Sequence, residues 1–166
     1  MKYLQSFSVF ESQTSATLTP DQESFLHRYT KGTWSVFTRG TWSVNPATGL
    51  VDVQGSFLCS SQSLKSLSGI RFGTVTGHFS CFINELTNLE GAPLTVGGSF
   101  FCFGNQLTTL EGAPQTVGRD FNCRGNQLTT LQGAPQTVEG DFYCDNNRLT
   151  TLEGAPQTVT EGCPDS

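Results

Sequence analysis

The chain is poor in positive charge, long apolar runs and helix-building text. Lys and Arg together number 9 against 14 Asp and Glu, for a net charge of −5. A phosphate backbone needs a basic face, so this balance excludes nucleic acid as the expected partner. An anionic membrane surface is excluded on the same ground. No apolar run approaches the roughly 18 residues of a membrane-spanning helix. The first residues, MKYLQSFSVFESQ, contain no continuous apolar segment and no small-residue cleavage site, so no signal peptide is expected. Met and Trp are scarce, at 1 and 2 residues, while Gly (18) and Phe (13) are abundant. That is a turn-rich β composition, and 166 residues suffice for one domain with a core.

Close cysteine pairs are also missing. Zinc sites use spacings such as C-x2-C, and nothing of that kind occurs among the 6 cysteines. Neither a metal nor any other cofactor is expected. Five cysteines share one phase of a repeat instead, which reads as a buried column of free thiols in a reducing compartment. Cys81, Cys102, Cys123 and Cys144 stand one repeat of about 21 residues apart, and a fixed short period marks a solenoid.

The repeats begin at Val53 and carry matching columns. Phe57, Phe79, Phe100, Phe121 and Phe142 form one, and Cys59 with the four cysteines above forms the next. Two Leu columns follow, Leu64 to Leu149 and Leu67 to Leu152, and a Val column runs from Val53 to Val159. Phe-x-Cys has period two, so both side chains face inward from a short strand. Gln62, Asn84, Asn105, Asn126 and Asn147 stand where the chain leaves that strand, suited to bonding backbone groups of neighbouring coils. Pro93, Pro114, Pro135 and Pro156 forbid a helix on the return side and favour an extended, polyproline-like path.

Ahead of the repeats, Thr19 reads as an N-cap and Pro20 as the first residue of a helix over 20–30. KGTWSVF at Lys31 recurs as RGTWSVN at Arg39, and alternation at Trp34/Val36 and Trp42/Val44 suits two short strands. Asn45–Gly49 is a turn by composition. The expected division is an N-terminal capping module over 1–52, five repeats over 53–159 and a tail over 160–166. Cys163 falls in the Phe column of a further coil.

The pattern F-x-C-x-x-N-x-L-x-x-L resembles a leucine-rich repeat with Phe and Cys in two Leu positions. NNRLTTLEGAPQTV is similar to the short type found in secreted effectors of enteric bacteria. It is closer to NNQLTSLEGAPQTVGGDF-C arrays of phage and bacterial proteins, in which a segment like KGTWSVNPATGLVDV often precedes the repeats. The likeness covers Lys31–Val159. The 166 residues carry no ligase or other catalytic segment like those some effectors append, and SLSGIRFGTV makes the first repeat degenerate. The resemblance implies a mainly β leucine-rich-repeat solenoid. It would have a parallel sheet on its concave face, an extended convex side and a small α/β cap. Strands about 4.8 Å apart would make a five-stranded sheet only about 20 Å wide. The resemblance also implies a phage or bacterial origin and residence in the cytoplasm, that of the host for a phage product.

Function is expected from the letters the repeat does not fix. Leu58, Phe82, Ile83, Phe101 and Phe103 cluster on the first three strands, with Asn122, Arg124, Tyr143 and Asp145 further along. Grouped exposed aromatics on a monomer mark a partner site, and aromatic and Arg residues dominate hot spots. The alternative is that the N-terminal segment folds over Phe82, Phe101 and Phe103. No enzyme is expected: His78 has Ser56 and Ser99 beside it but no orienting carboxylate in its coil. Asp120 and Asp141 neighbour each other and could hold a cation, or be solvated beside Arg119 and Arg124. The favoured reading is a protein-binding module, such as a phage inhibitor that occludes a host or defence protein. The other is a self-assembling structural or adhesive component of a virion or surface layer. Pairing of two chains through the C-terminal edge is a further expectation.

Overall fold

Residues 18–31 and 41–159 are described by the computed structural model. The strand expected around Trp34 and Val36, the lead over 1–17, and Cys163 with the tail over 160–166 lie outside the described residues. What is described is a mainly β solenoid of five coils with one short helix.

Each coil contributes two short strands, and like strands of successive coils pair in parallel. The first sheet holds β4 (Ser56–Leu58), β6 (Phe79–Ser80), β8 (Phe100–Phe101), β10 (Phe121–Asn122) and β12 (Phe142–Tyr143). The second holds β3 (Val51–Gln54), β5 (Phe72–Val75), β7 (Thr95–Val96), β9 (Thr116–Val117), β11 (Thr137–Val138) and β13 (Thr158–Val159). Pairing in the first sheet is in register, Phe121 opposite both Phe100 and Phe142. The first sheet was expected; the second replaces the polyproline-like return path. Pro114 precedes β9 by two residues, so its missing donor falls outside the ladder, and Gln115 already donates to the Leu94 carbonyl at 2.9 Å.

The core lies between the sheets. Phe79, Phe100, Phe121 and Phe142 stack with ring centroids 5.3 Å apart and planes 5–6° from parallel. The Cys, Leu and Val columns are buried through the first four coils. Further along, the same columns are exposed: Leu152 by 67% and Val159 by 38%. Burial pushes the Cys59 thiol up to about 12 and raises those of Cys81, Cys102 and Cys123 as well. These are inert apolar fillers.

The Asn column closes each coil. Asn126 donates from Nδ2 to the carbonyls of Cys102 (3.1 Å) and Cys123 (3.0 Å), and its Oδ1 accepts from the Leu107 amide (3.0 Å). Asn105 and Asn84 repeat the pattern one and two coils earlier. Gln62 departs from it. It is exposed, turns Nε2 to the Ser60 and Ser61 carbonyls, and accepts from Tyr29. Corner glycines are equally constrained: Gly112 has φ +86°, and a Cβ there would sit 2.6 Å from the Leu89 carbonyl carbon.

At the other end, α1 (Pro20–Tyr29) starts on a capping box. Thr19 Oγ1 accepts from the Gln22 amide, and Gln22 Oε1 accepts from the Thr19 amide at 2.7 Å. Gln22 is itself buried and donates to the Gly69 carbonyl at 3.1 Å, fixing the helix to the first coil. Phe25 and Tyr29 lie 5.7 and 6.0 Å from the Phe57 ring. The chain then adds β1 (Thr30–Lys31) antiparallel to β4, and β2 (Thr41–Val44) antiparallel to β3 through the Asn45–Gly49 turn. The degenerate first repeat has a geometric counterpart. Val51 faces Phe72 but Val53 faces Val75, so one extra residue enters β5 as a register shift.

Candidate functional site

The outward letters of the first sheet form two adjoining zones. Phe82 and Phe103 stand after the Cys of successive coils, and their rings stack at 4.5 Å and 7°. Both are part-buried, as is Phe101, whose ring lies 6.2 Å from the His78 imidazole at 24°. Leu58 is exposed at the first coil. The strand-face columns are not uniformly outward, however. Ser56, Ser80 and Ser99 are buried, with Ser80 Oγ 2.9 Å from Ser60 Oγ. A hydroxyl is small enough to be covered by the larger residues of adjacent coils.

Ile83 is the strained member of the group. Its column is Ser61, Ile83, Gly104, Gly125 and Asn146, and all five have φ between +51° and +65°. Gly and Asn accept this left-handed conformation, whereas a β-branched residue does so at a cost of about 1–2 kcal/mol. Ile83 nevertheless has φ +51°, and its side chain is 55% exposed. Burial therefore offsets the strain only in part.

The second zone is polar. Arg124 Nε meets Asp145 Oδ1 at 2.6 Å, both side chains half-exposed, and the guanidinium lies 5.9 Å from the Tyr143 ring centroid. Tyr143 donates its hydroxyl to Asp141 Oδ2 at 2.7 Å. Asp120 Oδ1 accepts from the Asp141 amide at 3.2 Å and its Oδ2 from Ser99 Oγ at 3.4 Å. The Asp120 carboxylate is thus tied to the strand backbone and that of Asp141 to the Tyr143 hydroxyl. Among the described residues no group of three or more His, Cys, Asp or Glu is placed to hold a metal. His78 is tied in likewise: Nδ1 accepts from the Ser99 amide at 2.9 Å, while its own amide donates to Ser56 Oγ. Ser99 therefore meets the imidazole through its backbone, and its hydroxyl points to Asp120.

Between the zones lies an open depression of about 360 Å³, lined by Phe103, Gly104, Asn122, Arg124, Gly125 and Asn146. Three of these are among the sequence-selected residues. The geometry joins Phe82 to Phe103 and Arg124 to Tyr143 and Asp145, and leaves Leu58 at the margin. His78 under Phe101, the Gly104–Gly125 floor and Asn146 went unselected. The signal for the floor was the Gly/Asn bias of its column, against which Ile83 stands out.

No helix among the described residues is long and apolar enough to cross a membrane. No protein-family model, curated protein or solved structure matches this chain.

Proposed function

We propose that the first sheet is the binding face of a non-enzymatic interaction module whose partner is another protein. The observation that carries this is Ile83, an exposed β-branched residue held at positive φ beside the Phe82–Phe103 stack. Strain that burial compensates only in part, at an apolar surface, is what selection for a contact leaves behind. Phe101 and Leu58 extend the apolar zone, and Asn122, Arg124, Tyr143 and Asp145 supply a polar rim of the kind interfaces have. In the finer reading the solenoid is of leucine-rich-repeat type. Its helix and antiparallel strands are the N-terminal cap, supported by the seating of Phe25 and Tyr29 on Phe57. A phage-encoded inhibitor working by occlusion in the host cytoplasm fits a face of this kind, since occlusion needs contacts and no reaction.

The test is affinity capture from bacterial lysate with wild type and with Phe101→Asp combined with Phe103→Asp. The reading expects one protein retained by wild type and lost by the variant, at an unchanged unfolding midpoint. Unfolding of the variant would instead assign those rings to the core.

The second reading, a self-assembling structural or adhesive component, is favoured by the exposed Leu152 and Val159 on the last described coil. Pairing of two chains there would make Leu152→Glu lower the molecular mass seen by sedimentation. An unchanged mass would remove it.

A further inference from the structure

The depression beside Phe103 has a shape that specifies more than a general apolar contact. Phe82 covers one face of the Phe103 ring, with planes 7° apart. The opposite face points along the solenoid toward the fourth coil, and Phe103 lines the depression there. Repetition of the stack would place the next planar group over that face. The column residue of the fourth coil is Arg124, but its guanidinium is turned to Asp145 and Tyr143. Beneath the slot the neighbouring column is Gly104 and Gly125, without side chains, whereas Ile83 and Asn146 occupy it on either side. The gap therefore coincides with the place where a third ring would lie.

Charge describes the rest of the ligand. The fourth and fifth coils present the carboxylates Asp120, Asp141 and Asp145, with Arg124 paired to the last and Arg119 exposed at the coil corner. The surplus of carboxylates suits cations flanking the inserted ring and opposes a nucleic-acid base, which would bring phosphate with it.

We propose that this depression binds an aromatic side chain of a partner protein, stacked on Phe103 as the third ring, from a segment whose adjacent residues are Lys or Arg. This rests on the reading of the first sheet as a protein-binding face. An offset-stacked ring is favoured by its quadrupole.

The probes are capped heptapeptides titrated into the full chain at low salt and followed by amide and aromatic NMR. The first is Gly-Ser-Lys-Trp-Lys-Ser-Gly; others replace Trp by Ala, or both Lys by Glu. The Lys-Trp-Lys peptide should shift the Gly104 and Gly125 amides and the Phe103 ring signals at millimolar concentration. The Ala peptide should not, and the Glu-Trp-Glu peptide should bind several-fold more weakly. Phe103→Ala should weaken binding by about fivefold, the worth of one aromatic pair. Gly125→Asn gives a second handle. Asn tolerates the +60° φ, as Asn146 does in the same column, and fills the floor. It should block the peptide without lowering the unfolding midpoint. Absence of shifts with the Lys-Trp-Lys peptide, equal shifts with the Ala peptide, or unimpaired binding by Gly125→Asn would each overturn the proposal. If the peptides fail while Phe101→Asp with Phe103→Asp still loses a captured protein, the inference falls and the binding face stands.

Discussion

Replacing Ile83 by Asn should stabilise the protein, although it removes a large apolar side chain. At φ +51° the Ile backbone costs about 1–2 kcal/mol relative to a residue that accepts the left-handed region. Full burial of an Ile side chain contributes about 1.5–3 kcal/mol, and with 55% of this residue exposed the loss on truncation is about 1 kcal/mol. The two terms leave Asn at or slightly above wild type, by up to about 1 kcal/mol. Ile83→Ala loses the same burial but keeps most of the strain, so it should lie about 1 kcal/mol below Asn, or roughly 2–4 °C in Tm for a chain of this size. The assay is urea unfolding of wild type and both variants, comparing midpoints at constant m-value. The partner captured by wild type should be weakened by both. If Ala equals Asn, or if both lose more than about 2 kcal/mol, Ile83 is a core residue and the strain argument is wrong.

Three further outcomes follow from the coil itself. Asn126→Ala should cost about 2–4 kcal/mol in urea unfolding, because it orphans the buried Leu107 amide and removes one of two donors from the Cys102 and Cys123 carbonyls. A loss under about 1 kcal/mol would mean that water replaces the amide. Gly112→Ala should be worse tolerated than an exposed Gly→Ala elsewhere, since its Cβ would meet the Leu89 and Glu90 backbone, and a neutral result in thermal unfolding would contradict that geometry. The thiols set an alkaline limit. Four buried cysteines keep their protons in the folded state while the unfolded chain loses them above pH 9, so stability is full below pH 9 and falls toward pH 12. The slope is about 1.4 kcal/mol per pH unit for each thiol, or about 5 for the four together. Urea midpoints at pH 8, 9 and 10 measure it; Cys102→Ala should flatten the slope by about a quarter, and a pH-independent midpoint would refute burial of the column.

The solenoid was legible because its columns are nearly invariant text. Cys123 and Leu128 recur at a fixed phase, and a side chain that must fit the same slot in every coil leaves that signature. The second sheet was not legible, because Thr116–Val117 is too short for alternation to register and Pro114 argues against a ladder until its distance from the strand is known. The extra residue in the first coil was visible only as degeneracy; that it enters at β5 needed the pairing of Val51 and Val53. At the face, the identity of the outward-facing, part-buried aromatics could be read from Phe101 and Phe103. The depression could not, because it depends on where the Arg124 guanidinium goes and on glycines whose role is the absence of a side chain.

The central claim is that one sheet, and not the other, carries the partner. Capture should therefore be measured for Phe103→Asp on the first sheet beside Leu94→Asp, a 52% exposed leucine next to β7 on the second. The account expects the partner to be lost with Phe103→Asp and retained with Leu94→Asp, both variants unfolding near the wild-type midpoint. Retention by both, or loss with Leu94→Asp alone, would contradict it.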